Sequence, residues 1–283
     1  MSANILISQD LSCVGQVSLS VALPLLGACG FQPNVLPTSL LSTHTGGFGD
    51  NTYLDLAPEM IKILQHWQEL DLKFPAIYLG YLGMNPLDVW LSELHNFYPP
   101  DNLLLIDPVM GDHGQLYRGF NQSYVAKMRL LIRKASIITP NLTEAAFLLN
   151  DPKLYTATIS INEAKKLAQK IAEKFEIPAV LITGLTLKDS TIGVVGFERK
   201  NTSSWSLTKP KLDGTFFGTG DLFASVLLAC LLASMPLYHC ANTAIDFIYT
   251  AIKHTSAKHD PRYGVNYAAG LPDLLAKLKE TKE

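Results

Sequence analysis

The chain is predicted to be a three-layer α/β/α protein with a mostly parallel central sheet, on two observations. From residue 4 to about 200, short β-rich runs alternate with longer stretches of helical period. Strand and helix alternating at this rhythm implies a parallel sheet with helices on both faces. Apolar residues make up 48% of the 283 and charged residues 17%, which suffices for a large core in one globular domain, taken as 1–283.

Each element has its own signal. Strands are expected at 4–8, 76–80, 103–107, 136–139 and 179–183, where short apolar runs end in polar or glycine-containing words. Helical spacing marks 58–72 and 161–175. In the second, Ile161, Ala164, Leu167, Ala168, Ile171 and Phe175 recur at three-and-four spacing, and Ser160 with Glu163 forms a capping box. Residues 191–198 and 204–208 read as an antiparallel pair at one edge. Residues 31–44 read as a strand leading into a Gly-rich excursion at 43–50, a small lid over the site. The last third is helical over 221–234 and 237–255, and the tail from Asp260 adds a turn and a short helix.

Charge and patterning exclude several classes of function. Lys and Arg number 23 against 25 Asp and Glu, a net charge of −2 that rules out a strongly electrostatic nucleic-acid binder. The longest nearly apolar stretch, 222–237, is interrupted by Ser225, Ser234 and Pro236 and reads as a buried helix, so no membrane partner is expected. No basic run precedes the apolar residues 4–8, and a cytoplasmic location is the expectation. Cys13, Cys29, Cys230 and Cys240 have no metal-binding spacing and read as reduced thiols.

In open α/β sheets, ligands bind beyond the carboxyl ends of the strands. Four runs end there in Gly80-Tyr81-Leu82-Gly83, Asp107-Pro108-Val109-Met110-Gly111-Asp112, Thr139-Pro140-Asn141-Leu142-Thr143-Glu144 and Thr183-Gly184. The most informative word is Gly218-Thr219-Gly220-Asp221, which opens the buried apolar helix. Its glycines let the backbone approach an anion, and the free N–H groups of a helix start favour negative charge. Asp221 suits a base that takes a proton from a hydroxyl attacking a phosphoryl group; an ordinary first-turn aspartate is the alternative. Asp107, Asp112 and Glu144 are carboxylates suited to Mg²⁺, which takes few protein oxygens and completes its shell with water and phosphate. The competing readings are a strand-ending Asp107 and a helix cap formed by Asn141 with Glu144. The P-loop spacing GxxxxGK[ST] is absent, so a nucleotide is held in another way.

Taken in order, these words resemble the ribokinase-like superfamily and, within it, the pyridoxal kinase branch, over residues 4–267. Gly218-Thr219-Gly220-Asp221 resembles the superfamily's anion hole with its catalytic aspartate, and Thr139 to Glu144 its Asn-x-x-Glu metal motif. Ser42-Thr43-His44-Thr45, Gly80 to Gly83 and Asp107 to Asp112 are narrower likenesses to the vitamin B6 kinases. Ser12-Cys13-Val14-Gly15 and Arg262-Tyr263-Gly264-Val265-Asn266 are similar to a bacterial pyridoxamine kinase subgroup.

The resemblance implies ATP-dependent phosphorylation of the 5'-hydroxymethyl group of pyridoxal, pyridoxine or pyridoxamine. It makes Asp221 the base and the N–H groups of Gly218, Thr219 and Gly220 the cradle of the transferring phosphoryl. Asp112 and Glu144 position Mg²⁺, Thr139 and Thr183 contact ATP phosphates, and Asp107 organises the γ-phosphate region. Lys211 and Tyr117 lie near the nucleotide. Thr45 and Tyr81 line the pyridine pocket, with His44 stacking or hydrogen-bonding beside them. Asp10 stands where many pyridoxal kinases carry a ring-contacting serine; a carboxylate there pairs with a pyridinium nitrogen or with a substrate amine or hydroxyl. The lid at 31–53 excludes water. Homodimerisation, and K⁺ as a further candidate cofactor beside Mg²⁺, rest on the resemblance alone. The competing functions are a hydroxymethylpyrimidine kinase of thiamine synthesis, many of which carry cysteine after Gly-Thr-Gly, and a non-catalytic B6-binding protein on the same scaffold.

Overall fold

Successive side chains of a strand point to opposite faces, so strands apolar on both faces must be covered twice. A computed structural model, describing residues 4–99, 102–154, 159–187 and 191–281, shows how. Eight strands form the central sheet: β1 Asn4–Ser8, β2 Gln32–Val35, β3 Ala76–Leu79, β4 Leu103–Ile106, β5 Ile137–Ile138, β6 Ala179–Thr186, β7 Thr191–Glu198 and β8 Ser203–Pro210. Their spatial order is β8-β7-β6-β5-β4-β3-β1-β2. All neighbours from β2 through β6 pair in parallel, and β7 and β8 add an antiparallel edge, as expected.

The helices are α1 Leu19–Ala28, α2 Ala57–Glu69, α3 Met84–Phe97, α4 Gln122–Leu131, α5 Leu142–Leu149, α6 Ile161–Phe175, α7 Thr219–Leu232, α8 Leu237–Lys253 and α9 Leu271–Glu280. Leu6, Ile77, Leu104, Ile106, Ile138 and Val180 pack into one core with Met60 and Leu64 of α2, Trp90 of α3, Met128 of α4, Phe147 of α5 and Ile171 of α6. Their strand neighbours Ile5, Ile7, Tyr78, Leu105, Ile137 and Leu181 enter a second core with α1, α7, α8 and α9. The sheet is thus the middle of three layers. Helix α7 is buried continuously from Leu222 to Cys230, which accounts for its uninterrupted apolar sequence, and Pro236 caps the start of α8.

The structure refines the expected elements. Helix α6 has the bounds its spacing gave, with the Ser160–Glu163 capping box formed. Helix α7 starts at Thr219, which puts Asp221 inside its first turn. The single strand expected at 31–44 divides in two. Pro33 is tolerated because β2 is an edge strand. Beyond Pro37, Ser39–Leu41 leaves the central sheet and pairs with Leu11–Ser12 and Tyr53–Asp55 in a separate three-stranded sheet. The excursion at 43–50 is therefore the tip of a small sheet.

Candidate active site

Strands β1, β3, β4 and β5 end at one edge of the sheet, and the residues just past them line up there. Asp10 follows β1 by two positions, Gly80 and Tyr81 follow β3, Asp107 follows β4 and Thr139 follows β5. Asp10 is 4% exposed, and its Oδ2 accepts a 2.8 Å hydrogen bond from Ser12 Oγ. Asp107 is equally buried, and its N–H donates to Leu79 O at 2.8 Å, which ties it to the end of β3. The Thr139 hydroxyl is buried without a hydrogen-bond partner.

Helix α7 begins against these ends. Gly218 caps it at φ 76° and ψ 3°, where a Cβ would stand 2.3 Å from Gln16 O, so glycine alone fits. A Cβ on Gly220 would lie 3.9 Å from Asp107 Oδ2, so the helix start and the end of β4 meet. Asn141 and Glu144 form the reciprocal cap of α5: Asn141 N donates to Glu144 Oε2 at 2.8 Å, and Glu144 N to Asn141 Oδ1 at 2.9 Å. Glu144 Oε1 also accepts from Met110 N at 3.1 Å, and Asn141 Nδ2 donates to Gly111 O at 2.9 Å. The helix-cap reading is thus realised, and the same bonds fasten α5 to the segment between Asp107 and Asp112.

A cavity of about 490 Å³ opens over this floor, and Asp10, His44, Thr45, Tyr81, Asp112, Tyr117, Gly218 and Asp221 line it. Asp107, Thr139, Thr183, Glu144, Lys211, Thr219 and Gly220 do not. Asp107 and Glu144 are buried below the cavity, whereas Thr183 is bridged to Asn141. Lys211 is exposed, just after β8. Tyr81 is held by stacking on Phe120, which stacks on Tyr124. His44 is 6% exposed: its Nδ1 accepts from Gly46 N at 3.1 Å, which leaves Nε2 as the donor to Arg262 O at 2.6 Å. With both nitrogens engaged, His44 offers the cavity a ring between Phe48 and Phe217. Ser18, Arg118, Phe216 and Phe217 also line the cavity, and sequence reasoning missed them. The aromatic pair directly before Gly218 is the one signal that could have pointed to them.

A family model of phosphomethylpyrimidine kinases matches residues 33–266. The chain belongs to that family. Its structure superposes on pyridoxal kinase from Lactobacillus plantarum with a TM-score of 0.88, at 34% identity over 98% of both chains. A Bacteroides thetaiotaomicron protein of the phosphomethylpyrimidine kinase type, crystallised with pyridoxal, gives a TM-score of 0.90 at 36% identity over 99% of this chain and 96% of that one. A pyridoxine/pyridoxal/pyridoxamine kinase from Bordetella avium is 28% identical over 256 residues, 85% of this chain and 81% of the relative.

The acidic floor of this kinase carries unusually basic carboxyls. Burial pushes Asp221 up to about 7, opposed by the Ser18 backbone N–H and reinforced by the charge of Asp10. Burial raises Asp107 as well, to about 8, with the charge of Asp221 adding to it. Glu144 is raised by burial and then by Asp107, against the N–H groups of Asn141 and Met110. Asp10 is raised by burial against the hydroxyls of Ser18 and Ser12. Buried carboxyls that disfavour their own charge are relieved by a cation, and an all-oxygen donor set suits a hard divalent one. Among the described residues no three such groups lie close enough to form a metal cage. A hard divalent ion held here would rest on one or two of these carboxylates and take water and phosphate as its other ligands.

Proposed function

We infer that the chain is an ATP-dependent kinase that phosphorylates the 5'-hydroxymethyl group of a vitamin B6 vitamer. The observation that carries this reading is the placement of Asp221 in the first turn of α7, on the wall of a cavity shared with Asp10 and Tyr81. In this reading the flat ring lies between Tyr81 and the His44 side of the cavity, with Asp10 facing a ring nitrogen, amine or hydroxyl. Its hydroxymethyl group points at Asp221. A carboxyl tuned to about 7 is half-ionised near neutral pH and takes the hydroxyl proton as the oxygen attacks the γ-phosphorus, while the bond from that phosphorus to the β,γ-bridging oxygen breaks and ADP leaves. The N–H groups of Gly218, Thr219 and Gly220 receive the charge that develops on the transferring phosphoryl.

Asp112 and Glu144 are the residues proposed to hold Mg²⁺, and the ion would neutralise phosphate charge when bound. Thr139, Thr183, Tyr117 and Lys211 are proposed nucleotide contacts; no residue is assigned to K⁺. A cytoplasmic location is part of this proposal; among the described residues no helix is long and apolar enough to cross a membrane. A homodimer is supported by a row of exposed leucines: Leu11 pairs with Leu40 and Leu40 with Leu54 across the small sheet, at 37%, 38% and 56% exposure. The kinase reading is tested by Mg·ATP-dependent ADP release with each B6 vitamer. Pyridoxal turnover that disappears in Asp221→Asn supports it, and vitamer binding without turnover replaces it with a carrier.

A further inference from the structure

The charges around the cavity are unbalanced. Asp10, Asp112 and Asp221 line it and Asp107 and Glu144 lie beneath it, yet among its lining residues Arg118 is the one permanent cation. A nucleotide triphosphate brings further negative charge into this space. Arg118 Nη1 is paired with Asp50 Oδ1 on the tip of the small sheet. Both partners are largely exposed, at 71% and 92% for the side chains, and such pairs contribute little to stability and exchange readily.

The backbone around Arg118, by contrast, is fixed. Tyr117 N donates to Met110 O at 2.9 Å, Phe120 N donates to Tyr117 O at 3.0 Å, and Gly119 turns the chain at φ 89°. Arg118 is thus anchored at the rim, one residue from Tyr117, with a side chain free to change partners.

We propose that Arg118 is a binding residue for the terminal phosphate of the nucleotide, with Asp50 as its place-holder until that phosphate arrives. This rests on the kinase reading above. A guanidinium forms two parallel hydrogen bonds to phosphate oxygens, a stronger arrangement inside a partly closed cavity than one exposed carboxylate contact. The exchange also releases the Asp50 carboxylate to solvent.

The test is calorimetric titration of the intact protein, with Mg²⁺ present, by ADP and by a non-hydrolysable ATP analogue. The expected result is that Arg118→Ala weakens the analogue about 10- to 100-fold and ADP less than about threefold, the loss of a charge-assisted contact to one phosphate. Asp50→Ala should tighten the analogue by about two- to fivefold, because a weak competing pair is gone. Equal weakening of both nucleotides by Arg118→Ala, or no weakening, overturns the assignment, and unchanged analogue affinity in Asp50→Ala overturns the place-holder role. Wild-type protein that binds neither nucleotide would overturn the kinase reading as well, whereas normal wild-type turnover with an indifferent Arg118→Ala overturns this inference alone.

Discussion

Gly220 and Asp107 face each other where α7 meets β4, with 3.9 Å between a Cβ at Gly220 and Asp107 Oδ2. Gly220 is an ordinary helical position, while Gly218, two residues earlier, holds φ 76° and leaves 2.3 Å to Gln16 O. Their alanine variants should therefore separate fold from chemistry. Gly220→Ala keeps wild-type stability or gains up to about 1 kcal/mol of helix propensity, but its methyl narrows the phosphate approach and turnover falls by at least about 10-fold. Gly218→Ala loses about 2 kcal/mol or more to strain and backbone contact. Thermal melts beside ADP release check both, and full activity in Gly220→Ala would remove the cradle from the mechanism.

Asp221 links activity and stability to pH in opposite directions. Ionised, it is a competent base, so kcat/KM should rise with pH through about 7. Its folded-state value lies above the ordinary carboxyl, so the folded chain holds the proton more tightly than the unfolded chain. The associated stability is complete below about 4 and is lost as pH rises toward 7. Asp221→Asn removes that loss. At pH 8 the variant should be more stable by on the order of 1–2 kcal/mol, discounted because the carboxyl faces an open cavity, and the gap should close toward pH 4. A variant less stable than wild type at pH 8 contradicts this.

Asp10 should decide vitamer preference. In Asp10→Asn the shape is kept and the charge removed, at a cost of about 10-fold or more in kcat/KM wherever a charge-assisted bond is lost. A fall confined to pyridoxamine assigns the carboxylate to the amine, and an equal fall for all three vitamers assigns it to a group they share, the ring nitrogen or the ring hydroxyl. Unchanged ratios and rates would take Asp10 out of the substrate pocket.

The layers were legible because their signals are local and repeated. Ile161 to Phe175 carries both periodicity and a cap, and the apolar strands end in words that the parallel sheet gathers at one edge. The small sheet was not legible, since Leu11–Ser12 and Tyr53–Asp55 are too short to show alternation. Ser18 was missed for another reason. It holds φ 48° and ψ −128°, a conformation that its residue type does not announce and that its neighbours impose. Arg118 and Asp50 lie 68 positions apart, and no sequence pattern joins them.

The leucine row predicts association. Replacing Leu40, the central member, with Lys puts a charge in the middle of any interface built on Leu11, Leu40 and Leu54. Light scattering should show wild type as a dimer and Leu40→Lys as a folded monomer; a wild-type monomer at micromolar concentration would refute the proposal.

The most direct measurement is ADP release at fixed Mg·ATP with pyridoxal, pyridoxine, pyridoxamine and hydroxymethylpyrimidine in parallel, using Asp221→Asn as the blank. Turnover of at least one B6 vitamer should exceed the blank by about 100-fold or more, the usual reach of a lost general base. Turnover confined to the pyrimidine, or undiminished turnover in Asp221→Asn, would contradict a vitamin B6 kinase with Asp221 as its base.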